Sequence, residues 1–181
     1  MRIIGGIHGG RKISPPAKMP YTRPTTDIAK EGLFNILQNH LDFEDLKTLD
    51  LFGGTGAITY ELASRGAKDL TIVEKDRSMY EFIKKNLQTL GFDHVLAVKS
   101  DVFKFLSSAT QTYDFIFAGP PYALTSIDDL PGMITEKKLL NPNGWFVLEH
   151  TPRNNYKSFP LYKMERNYGT TIFSFFEMPD V

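Results

Sequence analysis

Two apolar rhythms alternate along this chain, and the alternation predicts an α/β fold. From residue 47 onward, apolar runs of strand length are separated by stretches whose apolar positions recur every three to four residues. Thr48–Phe52 predicts a strand that ends in glycines, and Ile58–Ser64 a helix closed by Gly66. Leu70–Val73 predicts a second strand and Ser78–Leu90 a second helix, closed by Gly91. Val95–Lys99 reads as a third strand, followed by a short helix at Val102–Ser107. Phe115–Ala118 is apolar throughout, as expected of a strand buried on both faces. A helix near Asp128–Leu139, a turn at Asn141-Pro-Asn-Gly144 and a fifth strand at Trp145–Glu149 follow. Leu161–Met178 reads as two strands around Asn167-Tyr168-Gly169, and with no helix between them they are expected as an antiparallel hairpin at one sheet edge. Strands joined through helices imply right-handed crossovers, a mostly parallel sheet and helices on both faces.

The first 46 residues are different. Residues 1–24 are rich in Gly, Pro and basic residues, with one apolar pulse at Ile3-Ile4, and predict a short strand or hairpin followed by an irregular arm. Thr25-Thr26-Asp27 looks like a helix start, and Leu33, Phe34 and Leu37 give the following helix one apolar face. Length and composition fit one soluble domain over 1–181. No apolar run approaches the ~18–20 residues that span a bilayer, and the N-terminus lacks the features of a secretory signal. Cysteine is absent, which excludes disulfides and thiolate metal sites. A cytoplasmic location is therefore expected. Net charge is zero, but residues 1–30 carry Arg2, Arg11, Lys12, Lys18, Arg23 and Lys30 against Asp27 alone, or +5, which leaves −5 on the remainder. A basic arm on a mildly acidic body suits a polyanionic partner; a solvated tail has the same composition.

In an open α/β sheet, ligands bind beyond the carboxyl ends of the strands, where the strand order reverses. The first strand-to-helix turn is Asp50-Leu-Phe52-Gly53-Gly54-Thr55-Gly56, whose glycines permit a tight bend and close backbone approach to a ligand. The second strand ends in Glu74, 24 residues after Asp50, where an acid can accept from both ribose hydroxyls. The third runs into Ser100-Asp101, where an acid can meet an adenine amino group. A nicotinamide dinucleotide requires Gly-x-Gly-x-x-Gly, but Gly54-Thr-Gly56-Ala-Ile-Thr59 has Thr at the third glycine, and Asp50 would repel a pyrophosphate. The charged amino-acid end of S-adenosylmethionine suits the same acid. Local alternatives stand beside these roles: Asp50 can orient the loop, Glu74 can pair with Lys75 or Arg77, and Asp101 can cap the next helix.

The fourth strand ends in Gly119-Pro120-Pro121-Tyr122. Two prolines restrict the backbone and remove two N–H donors, which leaves neighbouring carbonyls to accept from a substrate. Tyr122 offers a face on which a base can stack. An exocyclic amino group fits this frame, because its lone pair is delocalised into the ring and acceptors on its N–H groups can draw that pair toward a methyl carbon.

Together these residues resemble the bacterial small-subunit (16S) ribosomal RNA guanine-N2 methyltransferases of the RsmD type. The resemblance is carried by Arg2-Ile-Ile-Gly-Gly, Gly10-Arg11-Lys12, Arg23-Pro-Thr-Thr-Asp27, Glu31-x-Leu-Phe-Asn35, Asp50-x-Phe52-Gly-Gly-Thr-Gly56 and Glu74-Lys-Asp76. It implies a Rossmann-like class I S-adenosylmethionine-dependent fold with seven strands, and methylation of N2 of a guanine in small-subunit ribosomal RNA, presented on an assembling 30S subunit to a monomeric enzyme. It implies cofactor contacts from Arg23, Thr25, Asp50, Phe52, Gly53, Gly54, Thr55, Gly56, Glu74, Lys75, Asp101 and Val102, with Gly119, Pro120, Pro121 and Tyr122 at the reacting base. The 1–24 arm and a lid-like helix over 25–40 would close over the cofactor and touch RNA, Arg2, Arg11, Lys12 and Arg23 meeting phosphates. One departure stands out. The family motif begins with Asp, and here Gly119 stands in its place, which removes a side-chain acceptor. An adenine-N6 nucleic-acid methyltransferase shares the Pro-Pro-Tyr logic, and a non-catalytic RNA-binding or assembly protein is the reading that Gly119 favours. His8, His40, His94 and His150 lie far apart with no metal-ligand spacing, so no metal is expected, and no Ser/His/Asp pattern suggests hydrolysis.

Overall fold

The computed structural model describes residues 1–19 and 25–180. In chain order the elements are α1 (Asp27–Leu37), β1 (Lys47–Leu51), α2 (Ala57–Ser64), β2 (Asp69–Glu74), α3 (Arg77–Leu90), β3 (Val95–Lys99), α4 (Val102–Ser108), β4 (Tyr113–Ala118), α5 (Asp129–Glu136), β5 (Leu140–His150), β6 (Tyr162–Tyr168) and β7 (Thr171–Glu177). Among the described residues, seven strands form one sheet in the order β3-β2-β1-β4-β5-β7-β6. The first five run parallel, and β7 lies antiparallel between β5 and β6. The expected edge hairpin is present, its second strand turned inward against β5.

Local chemistry sets the helix ends. Thr26, Asp76 and Asp101 accept from the backbone N–H groups of Ala29, Met79 and Lys104, and so cap α1, α3 and α4. Gly91 closes α3 in the left-handed region at φ 74°. Met79, Ile83, Leu87 and Leu90 give α3 its buried stripe.

Alternation along the strands feeds two cores. Phe115 and Phe117 of β4 join Leu33, Phe34, Ile58 and Ile83 under α1–α3. Ile116 and Ala118 point the other way, to Val102, Leu106, Leu130 and Ile134 under α4 and α5. Burial on both faces explains why β4 carries no polar alternation.

The structure corrects one expectation and sharpens another. Asn141–Gly144 is not a turn ahead of a fifth strand but part of β5. Leu140 pairs with Tyr113 and Trp145 with Phe115, so five steps of β5 face two of β4. Asn143 takes up the excess at φ 64°, and its N–H is held by the Met178 carbonyl (3.1 Å), which keeps the bulge in the sheet. The start of the basic arm, residues 1–13, is the expected hairpin, and it is docked on the body of the fold. Arg2 bridges Lys12, and Ile3 and Ile13 are buried. The Ile4 and Gly5 amides donate to the Glu61 carboxylate of α2 (2.9 Å each), and the His8 amide donates to Ser64 Oγ (3.0 Å).

Candidate methyl-transfer site

The strand order reverses between β1 and β4, and the loops that leave these two strands form a cleft. The Gly119 N–H donates to the Leu51 carbonyl across the reversal (3.3 Å). Phe52 sits in the left-handed region at φ 59° and lines both compartments of the cleft. A non-glycine residue held there stores strain at a ligand-facing turn.

The first compartment is acidic. Asp50, Gly53, Gly54, Thr55, Thr25, Gly119 and Glu149 line it, with Met19 and Phe117. Asp50 is buried and its Oδ2 accepts from Thr59 Oγ1 (2.8 Å). Burial pushes its carboxyl up to about 7; the Thr59 hydrogen bonds oppose the rise, and Glu74 and Glu149 add to it. The second compartment is a cavity of about 240 Å³ lined by Phe52, Phe103, Val102, Pro121 and Leu124, with Glu74, Lys75, Asp76 and Asp101 at its polar margin.

The glycine turn ties the compartments together. The Gly53 amide donates to the Val73 carbonyl (2.8 Å), and the Gly54 amide to Glu74 Oε1 (2.9 Å). Glu74 Oε2 accepts from the Asp76 amide (2.7 Å). Both Glu74 oxygens thus hold backbone donors, and each keeps a second lone pair for a ligand hydroxyl. Asp101 Oδ1 caps α4 through the Lys104 amide (3.1 Å) while lining the cavity, so the capping and pocket readings coexist. Gly56 opens α2 at φ 85°, where an added Cβ would lie 2.4 Å from the Tyr60 ring. Gly56→Ala is expected to cost about 1–2 kcal/mol from backbone strain alone, seen as a Tm lower by about 2–8 °C.

At the end of β4, Pro120 is buried and Pro121 faces the second compartment. The Pro121 carbonyl accepts the Leu124 amide (3.0 Å), which commits it within the loop. Tyr122 is fixed through its hydroxyl, 3.2 Å from Glu149 Oε2 and 3.3 Å from Thr171 Oγ1. Its far side borders an open groove with Thr151, Pro152, Arg153 and Thr170. Glu149 is the residue that sequence reasoning missed. It is the penultimate residue of β5, as Asp50 is of β1, and Glu74 ends β2; that shared position was the available signal. Its Oε1 accepts from Thr25 Oγ1 (2.6 Å).

The basic residues are dispersed. Arg2 pairs with Asp27 (3.7 Å), two residues along the chain from Thr25, and lines an open groove with Lys12. Arg11 is exposed on the same hairpin, and Arg23 lies outside the described residues. His150 and Ser174 form a pair inside the sheet (Nε2 to Oγ, 2.7 Å); both are fully buried, and burial lowers the imidazole pKa, so this is a core hydrogen bond and not a nucleophile open to substrate. Among the described residues, no group of His, Asp or Glu is arranged to hold a metal ion, and no helix is long and apolar enough to cross a membrane.

The family model described as conserved hypothetical protein 95 matches residues 1–177. The chain belongs to this family. It is 37% identical over 150 residues to ribosomal RNA small subunit methyltransferase D of Escherichia coli K12, a span that covers 82% of this chain and 71% of that protein. The fold of the family is shared with a hypothetical protein of Thermus thermophilus, at TM-score 0.85 and 29% identity, covering 98% of this chain and 99% of that one. The T. thermophilus 16S rRNA N2 G1207 methyltransferase, solved with AdoMet and guanosine, aligns at TM-score 0.67 and 26% identity over 85% of this chain and 44% of that one. Family membership and the seven-stranded methyltransferase fold are as the sequence motifs implied.

Proposed function

We propose that this protein methylates the exocyclic N2 amino group of a guanine in small-subunit ribosomal RNA, with S-adenosyl-L-methionine as donor. The observation that carries the reading is the paired cleft at the β1/β4 reversal. Its apolar compartment, with Glu74 and Asp101 at the margin, fits an adenosine. Its acidic compartment, with Asp50 and Glu149, fits the positive end of the donor. When bound, S-adenosyl-L-methionine supplies a methyl group already activated on a sulfonium.

This chain's residues then have distinct tasks. Glu74 takes the ribose hydroxyls, with Lys75 and Val102 beside it, and Asp101 faces the adenine. Phe52 and Gly53–Gly56 shape the backbone against the donor. Pro120 and Pro121 hold a rigid edge for the target base, and Tyr122 packs beside it. Arg2, Arg11, Lys12 and Arg23 are the candidate phosphate contacts, with the N-terminal arm and the helix after it as the lid of one domain. The guanine must leave its stack, or lie in an open loop, to reach the cleft. The relatives named for small-subunit ribosomal RNA support that substrate, and the structure solved with guanosine supports the base. The expected setting is an assembling 30S subunit in the cytoplasm, met by a monomer.

The test is incubation of the protein with methyl-labelled S-adenosyl-L-methionine and small subunits lacking the modification. Label is expected in the rRNA, recovered as N2-methylguanosine after nuclease digestion. Label in adenine would replace the base assignment. Absence of label alongside measurable donor binding would overturn catalysis and leave an RNA-binding protein.

A further inference from the structure

We propose that the groove beside the Pro-Pro-Tyr loop seats the RNA backbone next to the target guanine, with Arg153 on its phosphate. The inference rests on the methyl-transfer reading above and extends it from the base to the strand that carries the base.

The groove adjoins the cleft. Its walls are Tyr122 and Ala123 from the loop after β4, Thr151, Pro152 and Arg153 from the turn after β5, and Thr170 from the β6–β7 turn. These segments meet at the carboxyl end of β5, because β4 runs parallel to β5, His150 pairs with Ile172, and Tyr168 with Thr171. Tyr122 is the shared wall. It belongs to the loop that presents the base, and its hydroxyl lies 3.3 Å from Thr171 Oγ1, next to Thr170. A base at the Pro-Pro edge enters with its sugar and phosphates attached, and phosphate contacts are what fix a strand's position. The donor compartments are lined by Asp50, Glu74, Asp76, Asp101 and Glu149, which repel a phosphate. The groove, about 450 Å³ of open space, has no acid among its lining residues.

Charge agrees with this path. Residues 151–170 hold Arg153, Lys157, Lys163 and Arg166 against Glu165 alone, a net +3 outside the N-terminal arm. Lys157 is paired with Glu165 (3.5 Å) and Lys163 with Glu177 (3.3 Å). Arg153 is exposed and makes no ion pair among the described residues. The turn that carries it is held in place. The Arg153 amide donates to Thr151 Oγ1 (3.3 Å), the Asn154 amide to the Thr151 carbonyl (3.2 Å), and Asn154 Nδ2 to Asp128 Oδ1 (3.3 Å). A guanidinium on a fixed turn can meet phosphate oxygens as a two-pronged donor. Ala123 and Pro152 add apolar surface for the sugar. Arg153 is thus a positioning residue, acting on the strand and not on the reacting atoms.

The experiment uses the full chain, methyl-labelled donor and small subunits lacking the modification. In Arg153→Ala the KM for subunits is expected to rise about 5- to 10-fold, with kcat within about twofold and the donor Kd unchanged. The slope of log KM against log salt should fall by about 1, the signature of one lost phosphate contact. Arg153→Lys should recover most of the loss, because a point charge still meets a phosphate. Arg153 is exposed, so the variants are expected to keep the wild-type Tm within about 2 °C. The chain has no cysteine, so Ala123→Cys gives a single attachment point for a photocrosslinker. Its crosslink is expected at a nucleotide adjoining the guanine that wild type methylates. Wild-type KM and salt slope in Arg153→Ala overturn the inference and keep the reaction, as does a crosslink elsewhere in the RNA. A fall in kcat that saturating subunits do not repair also overturns it, since Arg153 would then act on the reacting atoms. Silence of wild type with donor bound overturns the reaction and the groove's role together.

Discussion

Replacing Glu61 with alanine is expected to destabilise the protein by about 3–5 kcal/mol, a fall of roughly 6–20 °C in Tm. Glu61 is fully buried in α2 and gathers four donors: the Ile4 and Gly5 amides (2.9 Å each), Arg65 Nε (2.8 Å) and Lys30 Nζ (3.4 Å). Burial alone would raise its pKa, but these donors outweigh burial and hold the carboxyl below its ordinary value. Its contribution is thus complete above the unfolded value near 4.5 and is lost as pH falls through the lower folded value. Without Glu61, the Lys30 ammonium would remain at 1% exposure facing the Arg2 carbonyl and the Arg65 guanidinium. Burial already lowers the Lys30 pKa, and the loss of its counter-charge would lower it further. The hairpin over residues 1–13 would lose two amide anchors at once. Thermal melting and hydrogen exchange of its amides check this; a Tm within about 2 °C of wild type, on the order of a surface substitution, would show that the cluster contributes little.

Asp50→Asn is expected to weaken S-adenosyl-L-methionine binding by about 10- to 100-fold, as the loss of a charge facing a bound cation in a buried site requires. In wild type, donor affinity should rise between pH 6 and pH 8, because Asp50 ionises at about 7 and only its charged form attracts the donor. The same substitution should stabilise the ligand-free protein at high pH. The folded pKa of Asp50 lies above its unfolded value of 3.8, so the folded state binds the proton more tightly and loses stability as pH rises from about 4 to about 7. Each pH unit in that window is worth up to about 1.4 kcal/mol, and asparagine removes the slope while still accepting from Thr59. Calorimetric titration at three pH values and paired thermal melts read both effects. A donor affinity flat with pH, or a less stable Asp50→Asn protein at pH 8, would contradict the assignment.

Glu61 and Asp50 show how unevenly the molecule can be read from its chain. Asp50 was legible, because an acid at the end of an apolar strand and before Gly-Gly-Thr-Gly has a local pattern. Glu74 and Asp101 were legible for the same reason. Glu149 carried that signal too, but its meaning depends on Thr25, 124 residues away, and on Tyr122. Glu61 belongs to no local motif that marks it. The docking of residues 4 and 5, more than 50 positions earlier, supplies two of its four donors.

By itself the sequence determined the element types, the helix caps, the acids at the strand ends and the family, since these depend on periods of two to four residues and on contiguous motifs. The tertiary structure alone decided the inward place of β7, the bulge that draws Asn141–Gly144 into β5, the docking of the N-terminal hairpin and the approach of Glu149 to the space beside Gly119. Each of these joins groups far apart in the chain, and their free energy comes from burial and pairing that exist only once the sheet has assembled.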